Sequence, residues 1–170
     1  LLQLGKTYYW KVNEVNEAGG VLVGVKSAAE VKAGFAKILA NAKKYNRKAQ
    51  ILGVQVQQMV GGGQEVIIGA VTDPSFGKLV AFGLGGVLVE VMKDITFRLA
   101  PATKDDALSM LDGIAAAEML KGVRGADPVN RTALAAVIRS VSQLVADFPE
   151  IAEMDLNPVF ASKAGAIAAD

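Results

Sequence analysis

The chain has 170 residues, a net charge of +1, an apolar share of 52% and a charged share of 21%, with no cysteine and no histidine. Such a length and composition describe a globular domain with enough apolar residues to bury a core, and they exclude a disordered tail. Without cysteine there is no disulfide framework, no thiolate catalysis and no structural zinc of the usual kinds; without histidine the commonest general base is gone. Carboxylates and amides remain, and these suit hard cations such as Mg²⁺. Lys and Arg are scattered along the chain, so no basic footprint for nucleic acid is expected. The apolar runs 66–71 and 84–91 are far shorter than a bilayer requires, and Leu1–Leu4 has no basic flank, so no membrane association and a cytoplasmic location are expected. The chain starts without Met and stops at Asp170 inside a strand-like segment, which reads as a fragment of a longer protein.

Taken in chain order, Ser27 to Glu30 has the capping-box pattern, and Val31, Phe35, Ile38 and Leu39 follow at helical spacing, which predicts a helix to about Tyr45. Segments 51–60, 65–72 and 78–82 are rich in β-branched and apolar residues. They are separated by the triple glycine 61–63 and by Asp73-Pro-Ser-Phe-Gly77, which predicts an antiparallel meander. After Pro101, Thr103 to Asp106 opens a helix carrying Leu108 and Leu111, and a short second helix is expected over 114–120. Asp127-Pro128 is expected to open a longer helix whose stripe is Leu134, Val137, Ile138, Val141 and Val145, ending near Phe148-Pro149. Residues 151–170 return to strands. This order predicts an α+β fold with a mostly antiparallel sheet flanked by helices.

The carboxy-terminal hairpin holds the most specific chemistry. If Ser162 to Gly165 form a four-residue turn, antiparallel counting sets Asn157 opposite Asp170, with Cβ atoms about 5 Å apart on one face. An amide oxygen and a carboxylate so placed can share one cation, and Asp155, two residues earlier, points to the same face as a further ligand or acceptor. The competing reading is Asn-Pro turn chemistry with a solvated Asp170. Gly83-Leu-Gly-Gly86 lets backbone N–H groups approach phosphate oxygens, although its spacing matches no standard phosphate loop, and a turn or bulge is the plainer reading. Lys93, Asp94 and Arg98 read as either an anion site or a solvated ion-pair face.

The stretch GGGQEVIIGAVTDPSFGKLVAFGLGGVLVEVMKDITFRLAP, followed by EMDLNPV, resembles the ATP-grasp part of NDP-forming acyl-CoA synthetases over about residues 19–170. That family includes ADP-forming acetate–CoA ligases and feruloyl-CoA synthetases, with the β subunit of succinyl-CoA synthetase a more distant relative. The resemblance implies an ATP-grasp fold holding ATP or ADP with Mg²⁺. It also implies a parent acid–CoA ligase that interconverts acid, CoA and ATP with acyl-CoA, ADP and phosphate, usually through a phosphohistidine. It implies Asn157 and Asp170 as Mg²⁺ ligands, Gln57, Gln58, Met59 and Val60 as a hinge beneath the adenine, and Glu65 at the ribose. Gly85, Gly86 and Glu90 would form the phosphate-side wall, with Glu90 the catalytic candidate. Ungapped counting sets Lys6 where the family has a nucleotide-contacting lysine. The family's His-Lys stretch before Gly19-Gly20-Val21 is replaced here, with Glu14 and Val15 at those positions, and residues 1–18 instead resemble an edge strand of fibronectin type III-like modules. The implied partners are the CoA-binding and ligase domains of the parent enzyme or a partner subunit, with acyl acid and CoA as its substrates. A non-catalytic nucleotide-binding regulatory module is the alternative function.

Overall fold

The computed structural model describes residues 8–11, 19–85, 94–123 and 125–169. The chain divides into two compact units, residues 1–59 and 60–170. In the first, strands β1 (Tyr8–Lys11), β2 (Val21–Val25) and β3 (Gln55–Gln58) form an antiparallel sheet in the order β2-β1-β3. Helix α1 (Ala28–Tyr45) packs on it. Its start follows from Ser27, whose hydroxyl accepts from the Glu30 N–H, while the Glu30 carboxylate accepts from the Lys26 N–H rather than that of Ser27. Val25 and Ile38 are the buried centre of this unit, ringed by Leu22, Val31, Val54 and Val56. Phe35, expected on the apolar stripe, is 43% exposed, because it sits at the margin of the face that Val31 and Ile38 present to the sheet.

The second unit is a five-stranded antiparallel sheet in the order β6-β5-β4-β7-β8, built from β4 (Gln64–Asp73), β5 (Gly77–Leu84), β6 (Ile95–Leu99), β7 (Glu153–Ser162) and β8 (Gly165–Ala168). Helices α2 (Lys104–Gly113) and α3 (Arg131–Asp147) cover one face, with a 3₁₀ turn at Ala117–Lys121. The core lies between sheet and helices: Val66, Ile68, Val80, Phe82 and Val159 from the strands meet Met110, Leu111, Leu134 and Ile138 from the helices. The α+β, mostly antiparallel architecture is therefore as expected. The Asp73–Gly77 turn joins β4 and β5 in register from Asp73↔Gly77 to Val66↔Leu84, with the Asp73 carboxylate accepting from the N–H groups of Ser75 and Phe76.

Two expectations need correction. The meander runs β4-β5-β6, whereas β3 pairs with β1 in the other unit; the strand pattern before the triple glycine is real, but pattern alone carries no information on which sheet a strand joins. The long helix begins at Arg131 rather than at Pro128, because the Asn130 side chain caps it by accepting from the Ala133 N–H.

Candidate functional site on the face of the second sheet away from its helices

Helices cover one face of the β6-β5-β4-β7-β8 sheet, and the other face carries a different chemistry. Along β7 the core side is taken by Met154 and Leu156, then by Val159 and Ala161. The change of parity has a structural cause: Ile68 faces Leu156 and Val66 faces Val159, so Asn157 and Pro158 together stand opposite Ile67. This is a β-bulge, one extra residue that re-aims the side chains on one side of it. Asp155 and Asn157 therefore both lie on exposed positions while the residues that follow still fill the core.

Asp155 stands across from Gly69 of β4. A Cβ at residue 69 would sit 3.0 Å from the Met154 carbonyl oxygen and 3.8 Å from Asp155 Oδ1, so the absence of a side chain keeps the space beside this carboxylate open. Across the sheet, Gly83 approaches the Asp94 carbonyl oxygen and Ile95 as closely, with 3.0 and 3.2 Å to an added Cβ. Gly69, Ala81 and Gly83 thus floor a groove of about 650 Å³, with Ile95 and Phe97 on one side and Glu153 and Asp155 on the other. Phe97 is 47% exposed and Leu99 58%, an apolar margin beside acidic oxygens.

At the near end of β4 the structure brings two expected nucleotide residues together. The Gly85 N–H donates to the Glu65 carbonyl oxygen at 2.7 Å, and a Cβ on Gly85 would lie 2.9 Å from Glu65 Cβ. Glycine is required there for close strand approach, with that N–H already committed, and the Glu65 side chain is exposed. Gln57 and Gln58 pair with Tyr9 and Tyr8 of β1, and Gln57 Oε1 is buried without a hydrogen-bond partner among the described residues. The boundary between the two units falls between Met59 and Val60, inside the segment expected to act as a hinge. Asp94 accepts from the N–H groups of Ala115 and Ala116, and Arg98 donates to the Phe97 carbonyl and to Ser109, so both are occupied in holding α2 and the 3₁₀ turn. Lys6, Gly86, Glu90, Lys93 and Asp170 lie outside the described residues.

The β7–β8 register is the one counted from sequence: Ser162↔Gly165 through Val159↔Ala168, with the Ala169 N–H donating to the Pro158 carbonyl oxygen beyond it. Among the described residues no group of three or more acidic, histidine or cysteine side chains could hold a metal. Asp155 and Asn157 offer one carboxylate and one amide oxygen, a donor set that fits Mg²⁺, which is held by one or two protein oxygens and completes its shell with water and phosphate. Sequence reasoning missed Gly69, Ile95 and Phe97, and it noted Gly83 only as part of a candidate phosphate loop. The signal was the alternation in Ile95-Thr-Phe-Arg-Leu99, whose apolar members are the exposed ones.

A family model described as an ATP-grasp domain matches residues 6–170, and the chain belongs to that family. It is 46% identical over 155 residues to the β subunit of acetate–CoA ligase (ADP-forming) I from Pyrococcus furiosus, covering 91% of this chain and 67% of that subunit. It is 48% identical over 150 residues to 4-hydroxybutyrate–CoA ligase (ADP-forming) from Nitrosopumilus maritimus, covering 88% of this chain and 22% of the relative. The chain thus spans about two thirds of a relative that is a separate subunit and under a quarter of one that is a single long chain. Among solved structures it matches the dinucleotide-forming acetyl-coenzyme A synthetase 1 of Ca. Korarchaeum cryptofilum. The complex with coenzyme A, acetyl-coenzyme A and a phosphorylated phosphohistidine segment gives a TM-score of 0.89 at 39% identity over 95% of this chain and 72% of that one. The complex with coenzyme A and Mg-AMPPCP, its phosphohistidine segment pointing towards the nucleotide-binding site, gives 0.82 at 36% over the same shares. The chain is therefore the ATP-grasp portion of a protein related to ADP-forming acid–CoA ligases. Among the described residues no helix is long and apolar enough to cross a membrane.

Proposed function

We propose that this chain holds the Mg²⁺ and adenine nucleotide of a cytoplasmic ADP-forming acid–CoA ligase, whose complete reaction converts an acid, CoA and ATP into acyl-CoA, ADP and phosphate. The observation that carries the reading is the bulge in β7, which lets Asp155 and Asn157 both stand on exposed positions away from the core, with Asp155 lining the groove. Asp155 and Asn157, with Asp170, would hold Mg²⁺, which supplies neutralisation of the charge on the transferring phosphoryl group. Gln57 to Val60 would bind the adenine, Glu65 would accept from the ribose hydroxyls, and Lys6, Gly85, Gly86 and Glu90 would stand on the phosphate side. Floor glycines at 69 and 83 leave space for a reacting group beside Asp155. The chain has no histidine, so an imidazole phosphoryl acceptor like the phosphohistidine segment of the Korarchaeum enzyme would come from a CoA-binding or ligase segment outside these 170 residues. Acting alone, the chain would bind nucleotide without completing the ligase reaction.

Titration calorimetry of Mg·ADP into the chain tests this. Binding that requires Mg²⁺ and weakens about 10- to 100-fold in Asn157→Ala and Asp155→Ala is the expected result, by the usual cost of losing a metal ligand or its orienting partner. Mg²⁺-independent binding, or unchanged affinity in both variants, would sink the assignment. Nucleotide binding with no ligase activity after complementation by the CoA-binding domains would instead identify a regulatory module.

A further inference from the structure

The net charge of +1 conceals a division that follows the boundary at Met59–Val60. Residues 1–59 carry nine cations against three carboxylates, or +6; residues 60–170 carry nine cations against fourteen carboxylates, or −5. Seven of the first unit's cations fall between Lys26 and Lys48, all exposed, and the single carboxylate among them, Glu30, accepts from the Lys26 backbone N–H. Helix α1 explains the pattern: Val31, Gly34, Ile38 and Ala42 face the sheet, while Lys32, Lys37, Lys43 and Lys44 stand in solvent. Among the described residues none of these cations forms an ion pair, whereas Lys121–Glu118, Arg131–Asp112 and Lys163–Asp127 are paired in the second unit. The described part of the first unit thus presents an excess of positive charge, and the unit bearing Asp155 is acidic, as suits a cation holder but not an unaided receiver of a polyanion.

We propose that the amino-terminal unit is an electrostatic collector, whose α1 lysines draw the nucleotide polyphosphate to the protein and set its rate of capture. This rests on the nucleotide reading above and deepens it. A field from one charged unit accelerates encounter without adding a contact, so it acts on association and not on dissociation. At low ionic strength, where the screening length is about 30 Å, the whole unit acts; at about 0.15 M it shrinks to about 8 Å and the effect fades.

The test is stopped-flow association of a fluorescent Mg·ADP analogue with the full chain. One variant combines Lys32→Glu, Lys37→Glu, Lys43→Glu and Lys44→Glu, which takes the first unit from +6 to −2. A second makes the same total change in the other unit, through Lys104→Glu, Lys121→Glu, Arg139→Glu and Lys163→Glu. Circular dichroism establishes that both are folded. The α1 variant is expected to lose roughly tenfold in association rate at low salt, with dissociation within about twofold, and the second variant is expected to lose much less. Equal slowing in both variants, an unmoved association rate, or a change confined to dissociation would overturn the collector while leaving nucleotide binding intact. Failure of the unaltered chain to bind the analogue at all would overturn the nucleotide reading itself, and the collector with it.

Discussion

The two units are both a sheet with a helical cover, yet they differ sharply in how much they bury. The second unit closes a continuous core in which Val66, Ile68, Phe82, Leu84, Met110, Leu111, Leu134 and Ile138 are fully enclosed. Among the described apolar side chains the first encloses only Ile38 and, nearly, Val25. Because apolar burial is the main favourable term, the second unit has the resources of an independently stable domain, and the first is the one expected to open locally. A rigid half offering carboxylates and a looser basic half is a division of labour written into core size.

Core truncation is the strongest way to break that comparison. Phe82→Ala should cost about 3–5 kcal/mol and destabilise the whole second unit, whereas Ile38→Ala, at about 2–5 kcal/mol, should release amide protection mainly across β2, α1 and β3. Native-state hydrogen exchange distinguishes them; protection lost equally in both units by Ile38→Ala would refute independent stabilities. The next largest effect is expected at Lys78. Its ammonium donates to Thr72 Oγ1 at 2.8 Å, to the Pro149 carbonyl oxygen at 2.9 Å and to the Ile151 carbonyl oxygen, while Thr72 donates to the Ala152 carbonyl oxygen. These bonds tie the approach to β7 to the β4–β5 hairpin. Lys78→Met should therefore cost about 1–3 kcal/mol in urea unfolding, and a loss below a few tenths would show the latch to be idle.

The smallest effect is a pH dependence. Asp106 completes the capping box of α2, its carboxylate accepting from the Thr103 hydroxyl and N–H; these two bonds, with Arg98 nearby adding a weaker pull, hold its carboxyl below the usual carboxylate range. A folded pKa below the unfolded value of about 3.9 gives stability that is complete above that value and lost as pH falls through the lowered one. Urea midpoints of the unaltered chain and of Asp106→Asn should therefore differ near neutrality and converge in acid. A constant difference down the acid limb would remove the carboxylate from the account.

Much of this was legible in residues that act locally. Ser27, Thr103, the Asp73–Gly77 turn and the Ser162–Gly165 turn each fix their own element, because the hydrogen bonds they make span only a few positions. The allocation of β3 to a separate sheet was not legible, since strand patterning records which face is apolar and not which neighbour is paired. Nor was the groove: Gly69 and Gly83 acquire meaning only through the Met154, Asp94 and Ile95 atoms that approach them, from strands distant in sequence. The closeness of Gly85 to Glu65 was not legible either, because it depends on how the end of β5 approaches the start of β4.

The extra residue in β7 behaves as a frame shift in the arithmetic of the strand. Before Asn157 the odd-numbered side chains look outward, and from Val159 onward the odd-numbered ones look inward. Straightened with Pro158 kept, the strand would run in one unbroken alternation, which could then satisfy either Val159 and Ala161 inside or Asp155 and Asn157 outside, but not both. The chain keeps a greasy end and an acidic end on one ribbon by spending a single amino acid to change step between them.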